Sequence, residues 1–241
     1  MAASGLGEAA RAIGVELDAR ALSRFAMYRD LMLAGSRRFN LTALRDAEQV
    51  ETRHFLESLA LGRLLGDEGV LGAGGRLLDI GSGAGLPGLP LKILRPDLRV
   101  SLLEATGKRC EFLREVVAAL ELDGAEVLEG RAEDFGHNAP LREQFDVVVA
   151  RAVAPLSVLL EYALPFLRLG GWLAATKGSA VDEEVAAAGK ALSTLGGALR
   201  RTLLLRVPGV MDQTLVLVEK VAPTPERYPR RSGMPSKRPL V

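Results

Sequence analysis

The run Arg76-Leu-Leu-Asp-Ile80 stops on Gly81-Ser-Gly83-Ala-Gly85-Leu-Pro-Gly88, and no other junction constrains the fold of this chain as much. A short, continuously apolar run ending at a glycine cluster is how a strand buried on both faces reads. The glycines accept dihedrals closed to other residues and let the backbone approach a ligand closely. Alternation continues downstream. Apolar runs at 98–103, 125–128, 145–150 and 171–176 read as strands, the last after a Gly-Gly turn. Period-3.6 segments at 108–122, 156–169 and 181–195 read as helices. The closing strands, 199–207 and 213–221, are joined by a link too short for a parallel crossover, so the last is antiparallel. The expected fold is α/β, a doubly wound, Rossmann-like sheet, mostly parallel with an antiparallel last strand.

The first 70 residues lack a good strand and read as a helical extension packed on the core, with a polar, basic loop over 36–43. Residues 71–222 form the main domain. Residues 223–241 form a basic tail whose prolines bar any helix or central strand. The formal charge of +1 hides an asymmetry. Arg227, Arg230, Arg231, Lys237 and Arg238 against Glu226 give the tail +4, leaving −3 (1 minus 4) for the first 220 residues. So nearly neutral a chain is not one that coats nucleic acid; it would bind RNA weakly without specificity and depend on shape. One cysteine, Cys110, excludes an internal disulfide framework, and with two histidines it leaves little for a metal centre. No apolar stretch is long enough for a membrane span, and Glu8 and Arg11 interrupt where a signal peptide would be apolar. The expectation is a soluble, cytoplasmic, monomeric protein without metal, using an organic cofactor or none.

The glycine spacing carries chemistry. A dinucleotide fingerprint would place its third glycine at Leu86, whereas here the glycines fall at 81, 83 and 85 behind Asp79. This Asp-x-Gly-x-Gly-x-Gly pattern resembles the S-adenosylmethionine loop and implicates Asp79, Gly81 and Gly83. Glu104, at the tip of the second strand, can accept both ribose hydroxyls of an adenosine. The alternative is a tight strand-to-helix turn without a ligand. Ala132 and Glu133, after the third strand, are either adenine readers or part of a solvated charge pair with Arg131.

Several phrases together resemble one family. They are Phe39-Asn-Leu-Thr-Ala43, His54-Phe-Leu-Glu-Ser-Leu59, the glycine loop from Leu78 to Leu91, Arg131-Ala-Glu133, Ala150-Arg-Ala-Val153, Lys177-Gly178, and the tail from Tyr228-Pro-Arg-Arg to Leu240. The chain is similar to the RsmG (GidB) family of bacterial 16S rRNA guanine-N7 methyltransferases from about residue 39 onward. The resemblance implies methyl transfer from S-adenosylmethionine to a guanine N7 in the decoding-region loop of 16S rRNA, free or within the small subunit. It places cofactor contacts at Gly81, Leu86, Glu104, Ala105, Thr106, Ala132, Glu133 and Arg151. Ala105-Thr106 departs from the Ser-Asn common in the family, which puts side-chain contacts there in doubt.

Guanine N7 carries a lone pair and no proton, so no general base is needed and none stands out. Arg151, ending the fourth strand, and Lys177, after the fifth, are the candidate positioning residues, Arg151 through guanine O6 or the cofactor carboxylate. His54, on an apolar helix, is given no role, and His137 is expected to be exposed. RNA binding falls to Arg37, Arg38, Arg227, Arg230, Arg231, Lys237 and Arg238, and the tail is expected to be dispensable for the cofactor. A nicotinamide-dependent oxidoreductase shares the fold class but lacks its third glycine here. A non-catalytic ribosome assembly factor would keep the binding features and transfer nothing.

Overall fold

The computed structural model describes residues 5–39 and 46–241. Helices α1 (Gly5–Ala12) and α2 (Ala19–Phe39) come first. Helix α3 (Ala47–Val50) then runs through a π-helical stretch, Glu51–Leu56, into α4 (Glu57–Asp67). The alternating region follows as β1 (Arg76–Ile80), α5 (Gly88–Leu94), β2 (Arg99–Glu104), α6 (Gly107–Ala119), β3 (Ala125–Glu129), α7 (Ala132–Phe135), β4 (Phe145–Arg151) and α8 (Leu156–Ala163). The chain closes with β5 (Leu167–Lys177), α9 (Val181–Ala187), α10 (Gly189–Leu195), β6 (Gly197–Leu205), β7 (Gln213–Lys220) and a single turn, α11 (Met234–Lys237).

The seven strands lie in the order β3-β2-β1-β4-β5-β7-β6, with β7 antiparallel to both neighbours and the other pairings parallel. The strand order reverses between β1 and β4, so a crevice opens beyond their carboxyl ends. The expected doubly wound sheet with an antiparallel final strand is what forms.

Three boundaries differ from the pattern reading. The segment expected to be a loop from 36 is the last turn of α2 as far as Phe39, because polar residues without Gly or Pro do not break a helix; the remainder, 40–43, lies outside the described residues. The helix expected over 156–169 ends at Ala163. A 3₁₀ turn containing Pro165 follows, and β5 begins at Leu167. Gly170-Gly171 is therefore a bulge inside β5, where the pairing with β4 jumps from Phe145–Leu167 to Val147–Trp172. A Cβ on Gly171 would lie 3.0–3.1 Å from three carbonyl oxygens, so any side chain there would press on the backbone around the bulge. The helix expected over 181–195 is broken at Ala188, next to the poor helix former Gly189.

The core continues from the N-terminal helices onto one face of the sheet. Phe55 packs on Phe25 and Tyr28 with ring centroids 5.1 and 5.0 Å apart, and these rings share a cluster with Leu77, Leu89 and Val100. Burying each such ring contributes about 1.5–3 kcal/mol. The other face gathers Leu78, Leu103, Val148 and Leu160, and Tyr228 of the tail joins it. Among the described residues, no helix is long and apolar enough to cross a membrane.

Candidate active site

The carboxyl ends of β1, β2 and β3 border a cleft of about 350 Å³ lined by Gly81, Glu104, Thr106, Arg109, Glu133 and Tyr162, among others. Ala105 and Ala132 also line it. Gly81 begins the glycine loop with φ 68°, and its Cβ position is 3.0 Å from Val153 Cγ2; a side chain there would be strained and would crowd the cleft. Glu104 stands at the floor, 5% exposed. Its Oε2 accepts from Gly83 N at 3.0 Å and its Oε1 from Thr106 N at 2.8 Å, while Arg109 lies 3.7 Å away. The loop and the acid thus fix each other. A carboxylate so placed has lone pairs left for a diol, which suits a ribose.

Asp79 and Leu86 are placed elsewhere. Asp79 is fully buried behind the loop, and its Oδ2 accepts from Gly88 N at 2.9 Å, capping α5. Its Oδ1 has no hydrogen-bond partner, and burial pushes the carboxyl up to about 7. Leu86 packs in the core beneath the loop. Neither lines the cleft, and of the loop's glycines Gly81 alone does; Gly83, expected at the cofactor, contributes through its N–H to Glu104 instead. Tyr28 of α2 donates its hydroxyl to Ala84 O, so the N-terminal helices brace the loop from outside the sheet.

A second cavity of about 690 Å³ shares Ala152 and Val153 with the first. It is lined by His54, Glu57, Arg151, Thr176, Lys177 and Gln213, among others. Ala152, in the shared wall, has φ 53°, a strained conformation for a residue with a Cβ. Arg151 Nη1 meets Glu57 Oε2 at 3.1 Å and Nη2 lies 3.4 Å from His54 Nδ1. Gln213 donates to Glu57 Oε1 at 3.0 Å. Burial lowers the Arg151 pKa and raises that of Glu57, so both members shift toward neutrality despite their attraction. Burial, followed by Arg151 and Arg53, lowers His54 to about 4. It is neutral at physiological pH and a poor proton acceptor. Thr176 Oγ1 is buried and unpartnered.

Lys177 is less available than its position in the sequence suggests. Its ammonium pairs with Glu184 at 2.7 Å and donates to Ala154 O, so it fixes the wall of the second cavity. Glu133 has a second engagement too, accepting from Gly233 N of the tail at 2.9 Å. The tail itself is not a free arm, and α11 interrupts the helix-free stretch expected there, with proline at the start of its only turn. Arg230, expected to meet RNA, instead donates its backbone N–H, Nε and Nη2 to the buried Glu161 carboxylate at 2.6–3.1 Å and serves as an anchor. Arg227, Arg231, Lys237 and Arg238 remain exposed. His137 is exposed as expected, with Nε2 2.7 Å from Pro229 O. Arg37 and Arg38 lie in the last turn of α2.

Sequence reasoning missed Arg109, Tyr162, Glu57, Thr176 and Gln213. Tyr162 reads as core on an apolar helix, Glu57 stands inside the phrase His54-Phe-Leu-Glu-Ser-Leu59 but is not singled out by it, and the other three carry no local motif. Among the described residues, no group of three or more His, Cys, Asp or Glu side chains could hold a metal ion.

Comparison with known proteins gives this site its family. The TrmN structure from Thermus thermophilus superposes with a TM-score of 0.53 at 25% identity, covering 77% of this chain and 53% of that one. A Roseiflexus castenholzii protein, "Ribosomal RNA small subunit methyltransferase G", is 48% identical over 228 residues, 95% of each chain. A Chloroflexus aggregans protein of the same name is 48% identical over 233 residues, 97% of this chain and 96% of that one. The family model described as rRNA small subunit methyltransferase G (GidB) matches residues 21–207, and the chain belongs to that family.

Proposed function

We propose that the chain methylates N7 of a specific guanine in 16S rRNA, with S-adenosylmethionine as donor. The observation that carries this reading is the shared wall. The cleft containing Glu104 and the cavity containing Arg151 adjoin at Ala152-Val153, so a donor in one and a base in the other can meet beside these two residues.

The cleft fits the donor. Its volume of about 350 Å³ lies in the range of small-molecule sites; Glu104 would hold the ribose hydroxyls, and Ala132 with Glu133 the adenine side. Bound there, S-adenosylmethionine supplies an electrophilic methyl group. Arg151 would orient its carboxylate end or the guanine O6. The base enters the second cavity with N7 toward the shared wall. Positioning provides the rate, since holding nucleophile and methyl at attack distance contributes about 7–11 kcal/mol in well-oriented systems. No side chain here has to remove a proton from N7. His54, held neutral, fixes the Arg151 fork. Glu57 sets its direction, and Lys177 holds the Ala154 carbonyl and thereby the wall. RNA contact falls to the exposed Arg227, Arg231, Lys237 and Arg238, and to Arg37 and Arg38.

The test is transfer from labelled donor to naked 16S rRNA and to small subunits, followed by strand scission at 7-methylguanosine. A single scission site that depends on the protein is expected. Label at another atom, or none on either substrate, overturns the reading.

A further inference from the structure

The C-terminal segment touches the cofactor cleft from behind, at two of its lining residues. Gly233 N donates to Glu133 Oε1 at 2.9 Å, and Ser236 Oγ lies 2.9 Å from the Tyr162 hydroxyl; Glu133 and Tyr162 both line the cleft. Ser232 donates to Asp134, the next residue of α7, at 2.9 Å. Outside these contacts, Arg230 locks onto Glu161 on α8, the helix that carries Tyr162. At the root of the segment, Arg142 donates to four carbonyl oxygens, those of Gly136, Tyr228, Thr224 and Pro225, at 2.7–3.4 Å. A Cβ on Gly136 would come within 2.7 Å of Pro229 Cγ, so the seat at the end of α7 is shaped to the segment.

We propose that this segment is a second layer behind the cofactor site, with Gly233 and Ser236 as positioning groups for Glu133 and Tyr162, and that its docking is coupled to adenosine binding. The inference rests on the reading that the cleft takes S-adenosylmethionine. It reverses the expectation that the tail serves only RNA. The physical argument is one of order. Glu133 stands on a helix of four residues, α7, which has little stability of its own. The strap supplies hydrogen bonds that hold its carboxylate in one place. A ligand that needs Glu133 and Tyr162 placed stabilises the docked strap, and the docked strap raises affinity for the ligand by the same factor.

The experiment uses the full chain and S-adenosylhomocysteine, in two measurements. Trypsin cleavage after the exposed Arg231 is timed with and without the ligand. Calorimetry then gives the ligand affinity of wild type, Ser236→Ala, Arg230→Met and Arg230→Lys. Coupling predicts that saturating ligand slows cleavage about tenfold, and that Arg230→Met loses about tenfold in affinity, within the span of typical couplings. Ser236→Ala loses less, and Arg230→Lys recovers part of the loss. In turnover, the Arg230→Met KM for the donor rises while kcat at saturation holds. A purely structural tail would lower the melting temperature of Arg230→Met yet leave affinity and ligand protection unchanged, which overturns the proposal. Wild-type cleavage needs no variant, so a misfolded Arg230→Met does not obscure the result. If wild type itself fails to bind S-adenosylhomocysteine, the cofactor reading falls instead.

Discussion

Each end of the chain is tied to the α/β core by an arginine–glutamate pair, and the two pairs behave oppositely. At the N-terminal side, Glu57 of α4 meets Arg151 at the end of β4. At the C-terminal side, Arg230 of the tail meets Glu161 of α8 at 2.6 Å. Arg230 gains from its partner, whose hydrogen bonds raise its pKa. Arg151 does not, because burial outweighs Glu57 and lowers it. Burying charges costs more than the attraction returns unless further hydrogen bonds complete the pair. Glu161 has those bonds, accepting a backbone N–H as well as the guanidinium. Glu57 has a further bond as well, from Gln213, and Arg151 one to His54; what sets this pair apart is that Arg151 lines a cavity, where an incoming anion or carbonyl would meet it. The lesson is that the pair enclosed by its neighbours anchors the tail, whereas the pair that borders a cavity is, on the proposed reading, the one that meets substrate.

Activity and stability should therefore separate between the two pairs. Arg151→Ala is expected to lower kcat/KM by about 10²–10³, the usual cost of losing a preorganised donor at a reacting group, with a smaller loss of stability than Arg230→Ala because Glu57 keeps its bond from Gln213. A variant that unfolds, or turns over normally, breaks the comparison. Arg230→Ala is expected to cost about 3 kcal/mol in unfolding free energy, because it strands the Glu161 carboxylate in the core. Urea denaturation measures this, and a cost near zero would mean that Arg230 is a surface ion pair after all. Glu57→Gln keeps the shape and removes the charge. It should cost about tenfold in turnover, less than Arg151→Ala, since Glu57 acts only through the arginine.

How much of this was legible follows from range along the chain. The glycine loop, Glu104 and the parallel strands are local patterns, and they stand where sequence places them. Asp79 was legible as part of the motif, but its task was not: a strand-end acid looks the same whether it faces a ligand or caps the next helix, and only the fold of the loop decides. The Gly170-Gly171 bulge needs knowledge of β4, its partner strand. The tail misled because proline-spaced arginines read as available. Prolines also leave carbonyls without ladder partners, and here Arg142, more than eighty residues away in sequence, accounts for three of those in the tail. Glu57 and Tyr162 were hidden for a similar reason, since each sits on a helix whose pattern says only that it is buried.

Asp79 offers a subtler contrast, because it is a buried acid with no arginine hydrogen-bonded to it. Its folded pKa of about 7 lies above the ordinary carboxylate value, so its protonated form is favoured in the native state. The contribution is present at acid pH and is lost as pH rises through 7, with a slope approaching about 1.4 kcal/mol per pH unit. Asp79→Asn removes that dependence. The stability gap between wild type and Asp79→Asn should shift in favour of the variant between pH 5 and 8, and a constant gap would show that the carboxyl titrates normally.

The smallest expected effect separates the two faces of the tail. Arg231, Lys237 and Arg238 are exposed, whereas Gly233 N and the Arg230 fork point into the protein. Phosphate contacts release counterions, and each one lost should reduce the salt slope of rRNA binding by about 0.7 on single strands. Replacing the three exposed residues by alanine should thus flatten the slope by at most about two units and weaken binding several-fold at moderate salt. S-adenosylhomocysteine affinity should hold, because no contact to Glu133, Tyr162 or Glu161 is lost. If the triple variant loses ligand affinity, the tail does not divide into an RNA-facing side and a cofactor-facing side, and its charge rather than its docking governs the cleft. If the salt slope holds as well, the basic residues of the tail are solvated bystanders, and the rRNA must be gripped beside the cavity containing Arg151.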